Sequence, residues 1–234
     1  RMSEHDHTQV APTAWGVAYL RSLTDISYAV EFYEALSVDL NQDLAKGGMR
    51  DHLAPQLEAR YKLLDKLIAD TGVDQIVELA AGVATRGLNM ATANPNLRYV
   101  QTDLPDVMRH QRSVFKSLAI TAPGNLQLAD ADALNESQIR RAIEDFDQNK
   151  PLIITHEGLM RYLTFPEKKK LAETVRSILK DHGGYWVTPD ISMRAALSRE
   201  NEKAKNHTDG LKRTTGIDVE QNVFYRALTS RSQY

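Results

Sequence analysis

The hydrophobic pattern changes character once along the chain. Up to Asp70 the apolar positions repeat at helical spacing. In "LEARYKLLDKLIADTG", Leu57, Tyr61, Leu64 and Ile68 follow at steps of four, three and four, so they share one face, and Gly72 is placed to stop the helix. From Gln75 onward short β-type runs take over: "QIVELA", "LRYVQTD", "NLQLAD", "PLIITHEG" and "GYWVTPD". Between them stand "DVMRHQRSVFKSLA", "ESQIRRAIEDF" and "PEKKKLAETVRSILKDHGG", helical by spacing, the last with a Pro start and a Gly-Gly end. Such alternation predicts an α/β fold: a doubly wound, mainly parallel sheet with right-handed crossovers, preceded by a helical N-terminal cap. The expected organisation is a polar tail over residues 1–12, a helical cap over 13–72, an α/β domain over 73–190 and a helical or loop segment over 191–234. No further strand is evident in that last segment, so either the sheet stops at five strands or sequence is missing.

Composition narrows the partners. With 29 basic against 31 acidic residues the formal net charge is -2, which leaves no basic field to hold nucleic acid or an anionic membrane across a face. A small-molecule or protein partner is expected, with no nucleic acid and no membrane. The chain has no cysteine, which removes thiolate nucleophiles and thiolate zinc sites and fits a reducing, cytoplasmic setting. No run approaches the roughly 20 apolar residues that cross a bilayer, and "RMSEHDHTQVAPTAW" has no apolar core like that of a signal peptide.

Candidate chemistry gathers at the strand ends, where open parallel sheets bind ligands. They carry Glu78 with Gly82, then Asp103, Asp130 and Asp132, Glu157 and Asp190. Asp103 stands 21 residues past Gly82, the spacing of a carboxylate that takes both ribose hydroxyls of an adenosine; its bland alternative is to cap the helix starting near Pro105. A dinucleotide turn needs G-x-G-x-x-G to bring backbone to a pyrophosphate, and "AAGVATRG" does not supply it. A phosphate-free cofactor such as S-adenosylmethionine demands only one close backbone approach near Gly82, so Ala80 favours that donor over the NAD of an oxidoreductase. His156-Glu157 fails the zinc-peptidase pattern because Met160 stands where the second histidine is required, and no metal is expected. No G-x-S-x-G elbow or P-loop occurs, and "EKKK" at 167–170 reads as a solvated helix face.

"VELAAGVATRG" resembles the "NLGAGLDTR" type of motif of the leucine carboxyl methyltransferase family and its bacterial O-methyltransferase relatives. "AYLRSLTDISYA", "EARYKLLD", "YVQTDLPDVMRHQR" and "ITHEGLMRYL", the last similar to "EGLLMYL", extend the likeness over residues 13–190. The resemblance implies a Rossmann-like class I methyltransferase fold and S-adenosyl-L-methionine as cofactor. It implies that Arg60 and Arg21 hold the donor's methionine carboxylate, a contact suited to a guanidinium fork. Gly82 would lie under the methionine portion, with Glu78 at the same strand end, and Asp103 with Leu104 would meet the ribose. Asp132, or alternatively Asp130, together with the backbone of Ala133 would face the adenine, and Glu157 would stand near the donor amino group and the reacting methyl. The acceptor would be an oxygen of a small molecule or a protein C-terminus. A carboxylate is already anionic at neutral pH, whereas a hydroxyl needs a base, for which His156 and Glu157 are the candidates. Ala80 and Ala84 depart from the family's glycine and aspartate, which leaves open a methyltransferase-like binding protein without turnover. Tyr19, Tyr28, Tyr162 and Trp186 are candidates either to line the acceptor pocket or to fill the core.

Overall fold

The computed structural model describes residues 11–37 and 51–191. Helices come first: α1 (Ala11–Ser22), α2 (Ala29–Ser37), a 3-10 turn at Asp51–Leu53 and α3 (Ala54–Asp70). Strands and helices then alternate through β1 (Gln75–Glu78), α4 (Arg86–Ala93), β2 (Arg98–Asp103), α5 (Pro105–Ser117), β3 (Leu126–Asp130) and α6 (Glu136–Ala142). They close with β4 (Leu152–Thr155), a 3-10 turn at Met160–Tyr162, α7 (Phe165–His182) and β5 (Gly184–Val187). Each strand lies inside one of the five β-type runs of the sequence. The segment expected to be helical or loop-like after Ile191 lies outside the described residues.

All strand pairs are parallel and the order is β3-β2-β1-β4-β5. The chain steps outward from β1 to β2 and β3, then returns to the other side of β1 for β4 and β5. The order therefore reverses between β1 and β4, and the crevice beyond their carboxyl ends is where such a sheet takes ligands.

The pleat divides the core. Ile76, Tyr99 and Ile153 face the cap helices and pack with Trp15, Phe32, Leu36, Leu64, Ile68 and Phe115. Their alternating neighbours Val77, Val100, Leu152 and Ile154 face α6 and α7 and pack with Ile139, Leu171, Val175 and Ile178. Leu57, Tyr61, Leu64 and Ile68 are all buried on α3, as their spacing predicts. Each buried aliphatic or aromatic side chain of this kind contributes about 1.5–3 kcal/mol, so the cap is held mainly by this apolar seam.

The helix that the sequence marks with Pro and Gly-Gly is bounded by identifiable contacts. The Thr164 N–H donates to the Glu167 carboxylate at 2.7 Å, one half of a capping box. At the other end Gly183 (φ 75°) and Gly184 (φ 110°) turn the chain back to start β5 beside Leu152.

Candidate functional site

The loop leaving β1 answers the question that Ala80 poses. Ala80 has φ 49° and Gly82 φ 64°, both in the left-handed region. The turn thus keeps a glycine-type conformation at a residue that carries a Cβ. Left-handed backbone costs a non-glycine residue about 1–2 kcal/mol, partly offset by the roughly 0.5–1 kcal/mol of extra chain entropy glycine would lose. Ala80→Gly is expected to stabilise the fold by about 0.5–1 kcal/mol, read as a higher denaturant midpoint at unchanged slope. At Gly82 a Cβ would meet the Ala14 Cβ of α1 at 3.4 Å, an ordinary contact, so the demand for glycine there comes from its φ rather than from crowding. At Gly87, the first turn of α4 lies so close to β2 that a Cβ would be 2.6 Å from the Gln101 Oε1. Ala84 is fully buried, and its carbonyl accepts from Gln101 at 3.3 Å and Gln111 at 2.8 Å.

Three amides of this loop are already used. Leu79 N–H donates to the Thr155 carbonyl at 2.8 Å, Ala81 N–H to the Thr102 carbonyl at 3.0 Å and Gly82 N–H to Asp103 Oδ2 at 2.7 Å. Asp103 Oδ1 accepts from the Leu104 N–H at 2.7 Å, so the carboxylate bridges the β1 loop and the start of α5. Burial pushes its carboxyl up to about 6 despite these two N–H donors, with the nearby charges of Glu78 and Asp132 adding to the rise. Of the two candidates at the end of β3, Asp130 is the cross-strand neighbour of Asp103 but pairs with Arg112 at 2.7 Å on a half-exposed face, whereas it is the charge of Asp132 that acts on the Asp103 carboxyl. Asp132 Oδ1 accepts the Leu134 N–H at 2.8 Å, and Ala133 is buried.

Beside this loop lies a cluster of three arginines and three carboxylates, buried except for the partly exposed Arg60 and Asp65. Arg86, fully buried in the first turn of α4, donates from Nε to Asp65 at 2.5 Å, from one terminal nitrogen to Glu78 at 2.6 Å and from the other to Glu157 at 2.8 Å. Its guanidinium also stacks on Tyr61, 4.2 Å from the ring centroid. Arg60 Nε donates to Glu157 Oε1 at 2.8 Å, and Arg21 pairs more loosely with Oε2 at 3.6 Å. Burial alone would raise the Glu157 carboxyl, but the charges of Arg21, Arg86 and Arg60 outweigh it and bring the group to about 2. The Arg21 side chain is 8% exposed, and its buried Nε has no hydrogen-bond partner among the described residues.

Three sequence expectations are corrected by this geometry. Glu78 does not face the crevice. As the last residue of β1 it still obeys the pleat and shares the inward side of Ile76, where Tyr99 (2.9 Å) and Gln101 (3.2 Å) donate to the oxygen that Arg86 leaves free. Glu157 is not a proton acceptor at neutral pH, because arginines hold both of its oxygens. His156 is not a free base either. It is fully buried, its Nε2 accepts from the Trp186 indole N–H at 3.0 Å, and its Nδ1 proton is thereby turned towards Asp190 at 3.0 Å and Thr188 at 3.2 Å. Asp190 also accepts the N–H groups of Gly158 and Met160, at 2.7 and 2.9 Å, so the His156–Asp190 pair ties down the loop carrying Glu157.

Of the aromatics, Trp186 serves that anchor, Tyr19 donates to Asp51 at 2.7 Å and Tyr28 is exposed with φ 63°. Sequence reasoning left Arg86 unassigned. The signal was available: a cation in the first turn of a helix opposes the macrodipole and needs carboxylates around it. Among the described residues there is no cluster suited to a metal ion, and no helix is long and apolar enough to cross a membrane.

Comparison with known proteins shows the family and the fold. The profile of the leucine carboxyl methyltransferase family matches residues 19–176, well over half of the chain. The chain belongs to the leucine carboxyl methyltransferase family. Relatives include a protein of Frankia alni, provisionally named an S-adenosyl-L-methionine-dependent methyltransferase, 25% identical over 68% of this chain and 54% of its own length. Another, provisionally named likewise, comes from Mycolicibacterium smegmatis: 30% identical over 45% of this chain and 36% of the relative. The chain spans about half or less of these relatives. The fold is shared with a DUF574 family protein of Streptomyces avermitilis (TM-score 0.59, 16% identity, 86% of this chain and 75% of that one). It is shared too with an O-methyltransferase family protein of Burkholderia thailandensis (TM-score 0.52, 12% identity, 80% of this chain and 51% of that one). The Rossmann-like sheet expected of a leucine carboxyl methyltransferase family member is therefore the sheet present here.

Proposed function

We propose that this protein is an S-adenosyl-L-methionine-dependent methyltransferase acting on an oxygen of a small molecule or a protein C-terminus, with a carboxylate as the favoured acceptor. The observation that carries this is the state of the β1 loop. A pyrophosphate needs free N–H groups, but those of Leu79, Ala81 and Gly82 are bonded within the protein, and Asp103 and Asp132 would repel an anion beside them. The same surroundings suit a sulfonium cation.

The residues present also fit the rest of the donor. Arg21, with its buried unpartnered Nε, and Arg60 beside it would hold the methionine carboxylate. Asp103 would accept from the ribose hydroxyls, with the Gly82 backbone beneath the methionine part. Bound there, S-adenosylmethionine supplies a methyl group on a positively charged sulfur. The chain's own contribution is alignment and exclusion of water. With His156 and Glu157 both committed to internal bonds, neither described candidate base is free, which favours an acceptor oxygen that is anionic without one.

Calorimetry with S-adenosylhomocysteine, 5′-methylthioadenosine and NAD tests the donor class. The two adenosyl thioethers are expected to bind and NAD is not. Arg21→Gln should weaken S-adenosylhomocysteine about 10- to 100-fold, the worth of one hydrogen bond to a charged group, and leave 5′-methylthioadenosine, which has no carboxylate, unchanged. NAD binding with no response to the adenosyl thioethers would overturn the proposal. Donor binding without methyl transfer to any carboxylate or hydroxyl acceptor would mark a binding protein instead.

A further inference from the structure

We propose that Arg86 is a positioning residue that fixes Glu157 for recognition of the ammonium of a zwitterionic amino-acid head group, an inference that rests on the donor assignment above. Arg86 is fully buried and held on three sides, by Asp65, by Glu78 and by the face of Tyr61. Its remaining terminal nitrogen, 2.8 Å from Glu157 Oε2, is therefore a fixed point in the sheet layer. The arginines that reach Glu157 from the cap differ from it. Arg60 has a side chain 37% exposed, and Arg21 stands 3.6 Å off with its Nε unpaired.

The cluster is neutral as it stands, with Arg21, Arg60 and Arg86 against Asp65, Glu78 and Glu157. A bare carboxylate entering it would leave an excess negative charge in a poorly solvated place. A zwitterion would not: its carboxylate takes Arg21 and Arg60, and its ammonium takes the Glu157 oxygen that Arg60 gives up. Glu157 can serve in this exchange only if something else keeps it in place once the cap arginines turn to the ligand. Arg86 is that anchor, and it does not itself touch the head group.

The test is the ratio of affinities for S-adenosylhomocysteine and 5′-methylthioadenosine, which isolates the grip on the head group, measured by calorimetry well below each variant's melting midpoint. Arg86→Lys, which keeps the charge but gathers its donors on one nitrogen and cannot span the three carboxylates, is expected to lower this ratio about tenfold. Glu157→Gln is expected to do the same, and the double variant to lose no more than either single one, because both act through one carboxylate. Should Arg86→Lys fail to fold, Asp65→Asn carries the test: it leaves the guanidinium in place, exchanges a charged acceptor at its Nε for a neutral one and should lower the ratio about threefold. A ratio unchanged in folded Arg86→Lys or Asp65→Asn, or losses that multiply in the double variant, would overturn the role of Arg86 and leave the donor assignment standing. A wild-type chain that binds neither ligand would overturn both.

Discussion

Gly184→Ala is expected to destabilise the fold by about 4 kcal/mol, against about 2 kcal/mol for Gly183→Ala next to it. Gly183 (φ 75°, ψ -179°) lies in a backbone region that only glycine occupies readily, but a Cβ there would meet nothing within 4 Å. Its substitution costs conformational strain alone, of order 1–3 kcal/mol. Gly184 carries the same kind of strain at φ 110°, and its Cβ would stand 1.9 Å from the Leu152 carbonyl oxygen and 2.7 Å from the Leu152 nitrogen. That obstacle is the backbone of a central strand, which has no rotamer to change. Forced overpacking of this sort adds about 1–3 kcal/mol, and the total approaches the whole stability of a marginal domain. Relief would come by moving β5 away from β4, which would take Trp186 off His156 and Asp190 off the Gly158 loop. Urea unfolding should give the two midpoints, and the fluorescence of Trp186 should redden in the native baseline of Gly184→Ala only. Equal midpoints for the two variants would show that β5 is not seated as described.

The sheet was legible because its strands are short, apolar and regularly spaced by amphipathic helices, a pattern that needs no tertiary information. That Gly82 and Asp103 come together was legible for a related reason: the spacing between a tight β1 turn and the end of β2 is fixed by one crossover. What the sequence hid was direction. Glu78 and Glu157 both stand at strand ends, and the strand-end rule says neither which way such a side chain points nor what holds it. The pleat sends Glu78 inward to Tyr99 and Gln101, and the partners of Glu157 come from 71 to 136 residues away, at Arg86, Arg60 and Arg21. His156 looked free for the same reason. Trp186 and Asp190, which consume both its ring nitrogens, are brought to it only by the pairing of β4 with β5. Long-range polar partners leave no periodic trace, and so they were the part that required the fold.

Asp103 should give two opposite pH dependences over one interval, and its removal should abolish both. Its folded carboxyl lies at about 6, above the ordinary range near 3.9 expected when unfolded, chiefly because it is buried. The folded state therefore holds the proton more tightly than the unfolded one. The stability this contributes is fully present below about pH 4 and is lost as pH rises through 6, an effect of about 2 kcal/mol between pH 4 and 7. Ligand binding runs the other way. Ribose hydroxyls donate more strongly to a carboxylate than to a carboxylic acid, so affinity for S-adenosylhomocysteine should increase as pH rises through 6 and level off above 7. If Asp103 holds the ribose as proposed, Asp103→Ala removes two charge-assisted bonds to it, worth about 1.5–3 kcal/mol each, and should weaken binding at pH 7.5 by about 100-fold or more. In the same variant this contribution to the stability profile should vanish, although the Gly82 and Leu104 N–H groups lose their acceptor and lower stability throughout. Paired melting and calorimetric series from pH 5 to 8 on both proteins would resolve the two effects. An affinity that does not change through pH 6 in the wild type, or that survives in Asp103→Ala, would remove the ribose from this carboxylate. Were both pH effects to appear and to vanish together in Asp103→Ala, the buried charge would be there for binding rather than for folding.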